Sequence, residues 1–303
     1  MRYVVTGAAG CIGSHLAEAL QLAGHEVAGI DCFTDYYDPA QKEENAAALD
    51  VSRLDLAEDG LDLAGADGVF HLAGQPGVRS FGPVFADYVR RNVLATQRVL
   101  EAAAGARVVL ASSSSIYGDA ETYPTPEDTS PQPVSPYGIT KLAAEHLARA
   151  YATSFGLDSV VLRYFTVYGP RQRPDMGLAR IVGALAAGTP FELYGDGSQS
   201  RSFTYVADAV EATIAAMERA PAGATYNVGG GEEATMREVI ETLESISGRK
   251  LDLRAGPPAA GDVRRTSADV SRIRADLGWA PRVRLEEGLR EQWSWASARV
   301  AAR

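Results

Sequence analysis

Tyr137 and Lys141, a tyrosine and a lysine four positions apart, are the side chains of this sequence best suited to move a proton. Residues four apart lie on one face of a helix. A free phenol has a pKa near 10, but an ammonium about 4 Å away contributes roughly 4 kcal/mol at an effective dielectric constant near 20. Because that energy equals about 3 pKa units, we expect Lys141 to bring the Tyr137 phenolate within reach of pH 7. A surface lysine on an amphipathic helix is the alternative.

Four consecutive serines, Ser112 to Ser115, follow an apolar segment that reads as a strand. Small hydroxyls at a strand end can bridge a substrate and a tyrosine by hydrogen bonds. A polar loop, or a turn closed by its own hydroxyls, is the alternative. Together with Tyr137, the serines predict general acid–base chemistry on a hydroxyl-bearing substrate.

The first thirteen residues provide the element that would position a cofactor beside this group. A β-branched segment is followed by Gly7, Gly10 and Gly13 and then by a helical pattern. This order predicts a strand, a tight turn and a helix whose N-terminus favours a phosphate. Gly7 permits the turn, Gly10 lets a pyrophosphate approach, and Gly13 lets the helix pack close to the strand. The first gap is one residue wider than in the common dinucleotide fingerprint, and a plain turn is the alternative.

Asp31 follows the second predicted strand, 26–30. An acidic residue there can accept both hydrogen bonds of an adenosine ribose and would repel a 2′-phosphate. No arginine stands beside it in the sequence, which favours NAD over NADP. A helix cap or a solvated turn aspartate is the alternative. With NAD⁺ nearby, a tyrosinate could remove a sugar hydroxyl proton while hydride leaves the same carbon.

Strands and helices alternate through residues 1–169, which predicts an α/β fold with a doubly wound parallel Rossmann sheet. The predicted strands are 3–6, 26–30, 51–54, 68–72, 107–111 and 159–163, and the longer helices are 14–23, 86–104 and 135–155. After Gly169 come short helices at about 176–187, 206–219, 235–247 and 286–299, and strands at about 191–194, 225–228 and 251–254. We expect residues 170–303 to form mainly a smaller, interleaved C-terminal α/β substrate lobe, with a segment of about 203–228 returning to the first domain.

Composition argues against several classes of protein. The chain has 303 residues and a net charge of −10, which disfavours nucleic acid or an anionic membrane as a partner. No apolar run approaches the roughly 18–20 residues that span a bilayer, and we expect no secretory leader. Cys11 and Cys32 are not expected to pair, which suits a reducing cytoplasm. The histidines and cysteines lack zinc-ligand spacing, so no metal site is predicted.

These motifs resemble an extended short-chain dehydrogenase/reductase of the nucleotide-sugar epimerase and dehydratase group. The resemblance covers nearly the whole chain and rests on TGAAGCIG (6–13), Asp31, Asp55-Leu56, HLAG (71–74), SSSIYG (113–118), YGITK (137–141) and RYFTVYG (163–169). It implies that Ser113, Tyr137 and Lys141 form the catalytic set, that Asp31 binds the ribose of NAD and that Asp55-Leu56 contact the adenine. The full set of cofactor-binding residues it implies is Gly7, Ala9, Gly10, Cys11, Ile12, Gly13, Asp31, Cys32, Asp55, Leu56, Leu72, Ala73, Gly74, Asn92, Ala111, Tyr137, Lys141 and Tyr164.

The serine run narrows the activity within this group. Its dehydratases resemble Thr-Asp-Glu at positions 113–115, and its decarboxylases that make UDP-xylose resemble Thr-Ser-Glu, whereas this chain has no carboxylate there. C4 epimerisation through a 4-keto sugar remains. UDP-glucose 4-epimerase is the nearest alternative, followed by UDP-glucuronate decarboxylase or another NDP-sugar dehydratase. A protein that binds NAD without turnover is an alternative of another class.

The segments DYYDP (35–39), QPGVR (75–79) and RQRPDM (171–176) are similar to those of UDP-glucuronate 4-epimerases. Arg171 and Arg173 in a cleft-side loop of an acidic chain would counter an anion, and a guanidinium matches a carboxylate in two hydrogen bonds. Surface ion pairs worth under about 1 kcal/mol are the alternative. We therefore expect conversion of UDP-glucuronate to UDP-galacturonate. The substrate-binding residues implied are Arg79, Ser113, Ser114, Ser115, Tyr137, Thr166, Arg173, Met176, Arg180 and, as pyrophosphate ligands, Arg201 and Arg264.

A 4-keto glucuronate is a β-keto acid, which loses CO₂ most easily when the C–CO₂ bond stands perpendicular to the carbonyl plane. We expect Arg173, Thr166 and Ser113 to Ser115 to hold the carboxylate away from that angle. The resemblance also implies a homodimer formed by helices of about 86–104 and 138–155, whose Ala- and Leu-rich faces could pack as a bundle.

Overall fold

The computed structural model describes residues 1–78, 81–103, 105–257 and 264–301. Its strands are β1 (Arg2–Thr6), β2 (Glu26–Asp31), β3 (Val51–Arg53), β4 (Gly68–His71), β5 (Arg107–Ser113), β6 (Ser159–Tyr164), β7 (Thr166–Tyr168), β8 (Phe191–Tyr194), β9 (Ser200–Tyr205), β10 (Thr225–Val228), β11 (Glu233–Thr235), β12 (Leu253–Gly256) and β13 (Arg265–Thr266). Its α-helices are α1 (Cys11–Leu22), α2 (Pro39–Ala46), α3 (Phe85–Tyr88), α4 (Ala95–Ala102), α5 (Pro136–Phe155), α6 (Gly177–Ala187), α7 (Val206–Arg219), α8 (Met236–Ser247), α9 (Ser271–Leu277) and α10 (Leu285–Ala301).

Seven strands form one parallel sheet in the order β10-β6-β5-β4-β1-β2-β3. The predicted doubly wound Rossmann sheet is confirmed. The chain turns from one half of the sheet to the other between β1 and β4, where α/β proteins open a crevice for ligands. Strand β10, from the later segment expected to return, pairs with β6. The division into residues 1–169 and 170–303 stays a prediction.

Both faces of this sheet are covered by helices. Along β1, Tyr3 and Val5 join a core that includes Leu16 of α1 and Ala212 of α7, whereas Val4 joins a separate core with α4 and α5. Because successive side chains of a strand point to opposite faces, a strand buried on both sides must be apolar throughout. The sheet is therefore a fixed platform whose carboxyl edge can carry a site.

A third core lies under the later elements and contains Ile181 and Leu185 of α6, Val239 and Leu243 of α8, and Leu289 of α10. Two small sheets accompany it, one of β11-β9-β13 with β7 beside β9, and one of β12-β8. Sequence analysis did not predict β7, β9, β11, β13 or α9. These are short segments whose pairing or packing partners come from distant parts of the chain.

Two predicted helices differ in detail from the structure. The first begins at Cys11 rather than Ser14, because Gly10 is its N-cap, so Gly13 lies in its first turn. The helix predicted over 86–104 is divided into α3, a π-helical segment over Val89–Leu94, and α4. Such π segments occur often at functional sites. None of the helices in the described part of the chain is long and apolar enough to cross a membrane.

Candidate active site

The turn between β1 and α1 is too tightly packed for side chains at its first and last glycines. Gly7 has a φ of 72°, and a Cβ there would lie 2.8 Å from Ala73 N. A Cβ on Gly13 would lie 2.1 Å from Gly7 O. Gly10 caps α1 without a side chain of its own, and the first N–H groups of a helix have no partner within the helix. This bare backbone fits an anionic diphosphate.

Asp31 fastens the glycine turn to β2. Its Oδ2 accepts a hydrogen bond from Ala9 N at 3.1 Å and its Oδ1 accepts one from Phe33 N at 2.8 Å. Burial raises the pKa of Asp31, and these two donors oppose the increase. Arg53 is the strand neighbour of Asp31, and its guanidinium lies over the Phe33 ring at 4.0 Å. An arginine therefore does stand beside Asp31 in space, which the sequence order does not reveal.

A cavity of about 680 Å³ runs from the glycine turn along the carboxyl edge of the sheet to residues of α6, β8 and β9. The predicted site residues that border it are Gly7, Gly10, Cys11, Ile12, Gly13, Asp31, Cys32, Asp55, Leu56, Leu72, Ala73, Gly74, Ala111, Ser113, Ser114, Ser115, Tyr137, Lys141, Tyr164, Thr166, Arg173, Met176, Arg180 and Arg201. The structure thus brings together side chains from before and after Gly169.

Three predicted site residues in the described part of the chain do not border this cavity. Ala9 is buried, with its N–H bound to Asp31. The amide of Asn92, on the π-helical segment, donates to Gln75 O at 3.1 Å and to Thr140 Oγ1 at 3.0 Å. Arg264 is exposed. Arg79 lies outside the described residues. The roles assigned to these four, like those of the other predicted site residues, stay predictions.

The structure brings the side chains of Tyr137 and Ser113 to the same cavity, close enough for Ser113 to lower the pKa of the phenol. Tyr137 lies in the first turn of α5, which Ser135 caps by accepting a hydrogen bond from Gly138 N at 3.1 Å. Ser113 ends β5, and its Oγ accepts a hydrogen bond from Ser115 N at 3.1 Å. The end of a strand and the start of a helix therefore aim two hydroxyls at one point.

The electrostatics of Tyr137 differ from the sequence-based expectation. Burial raises the pKa of Tyr137, and the largest influence that lowers it is Arg173, followed by the hydrogen bond with Ser113. Lys141 Nζ donates to Ala111 O at 2.9 Å and lies 6.0 Å from the centre of the Tyr137 ring. The expected net lowering of the phenol pKa toward 7 is wrong for this structure, because loss of hydration outweighs the effects of Arg173 and Ser113.

Sequence reasoning missed Glu145, one helical turn beyond Lys141. Its carboxylate accepts a hydrogen bond from Ser112 Oγ at 2.5 Å and two from Arg163, at 3.0 and 2.8 Å. The side chains of Arg163 and Glu145 are only 6% and 5% exposed. Burial lowers the pKa of Lys141 to about 8, and Glu145 opposes this decrease. The four-residue spacing on α5 was the available signal.

Arg171 and Arg173 point in different directions. Arg171 has a φ of 63°, and its Nη2 donates to Glu18 Oε1 on α1 at 2.8 Å. Arg173 borders the cavity, and its guanidinium forms two hydrogen bonds with Asp175, at 3.0 and 3.1 Å. Both arginines therefore form ion pairs, as the alternative predicts, but of the two only Arg173 borders the cavity.

The far end of the cavity offers a flat surface. The guanidinium of Arg180 lies 5.3 Å from the centre of the Phe191 ring and 5.6 Å from that of the Tyr194 ring. Such stacked planar groups suit a planar base. Arg201, which also borders the cavity, adds a second positive charge to its lining.

A glycine-turn dinucleotide cradle that opens onto a Tyr–Ser–Lys group defines the short-chain dehydrogenase/reductase class. The chain belongs to the NAD dependent epimerase/dehydratase family, whose model matches residues 3–229.

Three similar proteins place the chain within that family. The crystal structure of a UDP-glucuronic acid 4-epimerase from Bacillus cereus, in complex with UDP-glucuronic acid and NAD, has a TM-score of 0.94, is 39% identical and covers 98% of this chain and 99% of that one. A probable UDP-glucuronate 4-epimerase of Rhizobium meliloti is 36% identical, over 97% of this chain and 96% of that protein. An uncharacterized UDP-glucose epimerase of Bacillus subtilis, YtcB, is 41% identical over 98% of each chain.

Proposed function

We propose that this enzyme is an NAD-dependent UDP-glucuronate 4-epimerase that converts UDP-glucuronate to UDP-galacturonate. The observation that carries the proposal is Arg173, a guanidinium in the same cavity as Tyr137, opposite a serine turn without a carboxylate. The cation suits the C5 carboxylate, and the serine turn lacks the acid that dehydration needs. The Bacillus cereus 4-epimerase, crystallised with UDP-glucuronic acid and NAD, supports the same substrate.

The residues at the carboxyl edge of the sheet fit NAD. The N–H groups at the start of α1 would hold the diphosphate, Asp31 would bind a ribose, and Gly74 leaves room beside Lys141, because a Cβ there would lie 3.2 Å from Lys141 Nζ. Bound there, NAD would supply a hydride acceptor for C4 of the sugar and a hydride donor for the 4-keto intermediate.

Tyr137 accepts the proton of the C4 hydroxyl. The Ser113 hydroxyl bridges the sugar and the phenol by hydrogen bonds. Arg173 contributes the positive charge that favours the phenolate, and Lys141 Nζ lies 6.0 Å from the centre of the Tyr137 ring. The 4-keto sugar then rotates in the site and presents the opposite face of C4 for return of the hydride. Tyr137 returns the proton to O4. Arg173, with Thr166 and the serines, holds the carboxylate out of the orientation that favours loss of CO₂.

UDP-glucose 4-epimerase is the second candidate, because Arg173 is already paired with Asp175 and the Bacillus subtilis relative has that name. Purified protein should be incubated separately with UDP-glucuronate and UDP-glucose, and the products separated chromatographically. We expect UDP-galacturonate to form faster than UDP-galactose. Turnover of UDP-glucose alone would favour the second candidate, and turnover of neither, with NAD still bound, would favour a binding protein.

We also propose a homodimer in the cytoplasm. Apolar side chains on the π-helical segment and α5 are exposed, among them Leu94 at 44%, Ile139 at 50% and Phe155 at 77%. Pairing of these helices with those of a second copy would cover them in a four-helix bundle. The free thiols of Cys11 and Cys32 suit a reducing compartment. Light scattering coupled to gel filtration tests the dimer.

A further inference from the structure

Asp175 occupies the edge of the Arg173 guanidinium that a substrate carboxylate could otherwise take. Arg173 Nε donates to Asp175 Oδ1 at 3.0 Å, and Nη2 donates to Oδ2 at 3.1 Å. The hydroxyl of Tyr36 also donates to Oδ2, at 3.3 Å. The loop after β2 and the loop before α6 therefore meet at one carboxylate. The Asp175 carboxylate accepts from Nε and Nη2 of Arg173, which leaves Nη1 of Arg173 for a second acceptor.

The backbone around Arg173 is fixed by contacts that do not involve Asp175. The Gln41 side-chain amide donates to Arg171 O at 3.1 Å and to Gln172 O at 3.3 Å. The Gln172 amide donates to Val167 O at 2.9 Å. The side chains of Arg173 and Asp175 are 27% and 33% exposed. A change in the charge of Asp175 should therefore alter the electrostatics at Arg173 more than its position.

We propose that Asp175 is a specificity-determining residue, a built-in counter-ion for Arg173 that allows the site to accept a neutral sugar as well as an acidic one. This proposal rests on the proposed function. Without Asp175, a neutral sugar would cover a guanidinium that has no anion, which is costly, whereas an acidic sugar would supply its own carboxylate. With Asp175 present, the acidic sugar gains less, because Arg173 is already partly neutralised and the two carboxylates repel each other.

The substitution Asp175→Asn removes the charge but keeps the shape and one acceptor oxygen. For the NAD-loaded enzyme, kcat/KM is measured for UDP-glucuronate and for UDP-glucose. We expect the ratio of kcat/KM for UDP-glucuronate to kcat/KM for UDP-glucose to rise by about tenfold, in line with the loss of one partly exposed charge. A merely structural role would lower both values together and leave the ratio unchanged. Glu18→Gln is the matched control, because it removes a carboxylate from Arg171 outside the cavity and should leave the ratio unchanged.

An unchanged or lower ratio in Asp175→Asn, with normal NAD content and melting temperature, overturns the proposal. If that variant does not fold, Asp175→Ser provides a second neutral side chain, with the same expected result and the same contrary one. Dissociation constants for both sugars, measured calorimetrically in a Tyr137→Phe background, test the ratio without turnover. A wild-type protein that epimerises neither sugar would refute the proposed function, while the ratio of dissociation constants would still decide the role of Asp175.

Discussion

Arg173 and Tyr137, far apart in the sequence, share one cavity, and the guanidinium is the strongest influence that lowers the pKa of the phenol. Burial acts in the opposite direction and prevails. The pKa of Arg173 is itself raised: burial would lower it, but Asp175 and Tyr137 keep it charged. One cation is therefore placed to favour the phenolate and to bind a sugar carboxylate, so its loss should affect both chemistry and product distribution.

Removal of the Tyr137 hydroxyl should stop catalysis without unfolding the protein. We expect Tyr137→Phe to lower kcat by a factor on the order of 10³, because positioned proton transfer is lost. Initial rates with UDP-glucuronate measure the effect, and thermal melting and NAD content show that the variant is folded. Tyr226→Phe, which removes a hydroxyl bound to Asp276 away from the cavity, should keep wild-type activity. Comparable rates for the two variants would refute the role of Tyr137.

Activity should fall as the pH rises through about 8, the value to which burial lowers the pKa of Lys141. Above that pH the ammonium, which lies 6.0 Å from the centre of the Tyr137 ring, loses its charge. Because Glu145 raises the pKa of Lys141, Glu145→Gln should move the alkaline limb of the kcat/KM profile to lower pH. Ser112→Ala, which removes only a neutral donor to Glu145, should move it less. An alkaline limb at the same pH in Glu145→Gln would contradict this account.

The buried pair Arg163 and Glu145 should contribute strongly to stability. Arg163→Met leaves the Glu145 carboxylate buried without its partner, so we expect the free energy of unfolding to fall by about 3–5 kcal/mol. Urea denaturation at fixed protein concentration measures the loss. Arg290→Ala breaks an exposed pair with Glu286 and should cost less than about 1 kcal/mol. Similar losses in both variants would mean that burial does not strengthen the inner pair.

Loss of Arg173 should allow the 4-keto glucuronate intermediate, a β-keto acid, to lose CO₂ more readily. We expect Arg173→Ala to raise the amount of UDP-pentose product relative to UDP-galacturonate, because the carboxylate can then reach the perpendicular orientation. Chromatography of the reaction products gives this ratio independently of the overall rate. Arg171→Ala, in the same loop but paired with Glu18, should leave the ratio unchanged. A constant product ratio in Arg173→Ala would rule out this role.

Asp31 should determine retention of NAD and rejection of NADP. In Asp31→Ser the ribose loses an acceptor, and the carboxylate that repels a 2′-phosphate is gone, while Arg53 remains beside the position. We expect less NAD in the purified protein and measurable binding of NADP, both determined by chromatography of the released cofactor. Asp62→Asn, in an exposed turn, serves as the control. Full NAD content in Asp31→Ser would show that the ribose is held by other groups.

Local pattern was enough to predict the main sheet and the residues at its edge. The spacing of Gly7, Gly10 and Gly13 and the four-residue step from Tyr137 to Lys141 are contained within single strand–turn–helix units. Parallel strands align their carboxyl ends, so the order of elements alone predicts that these segments meet. Most residues predicted for the site accordingly border one cavity.

Contacts between distant segments could not be predicted in this way. The sequence by itself determined the fold class, the glycine turn, Asp31 and the helix that carries Tyr137. Only the tertiary structure decided that Arg53 stands beside Asp31, that Arg171 turns away while Arg173 enters the cavity, and that Asp175 pairs with Arg173. It also decided the sign of the pKa shift at Tyr137. The physical reason is that local spacing orders neighbours within an element, whereas burial and charge depend on everything that packs around a group.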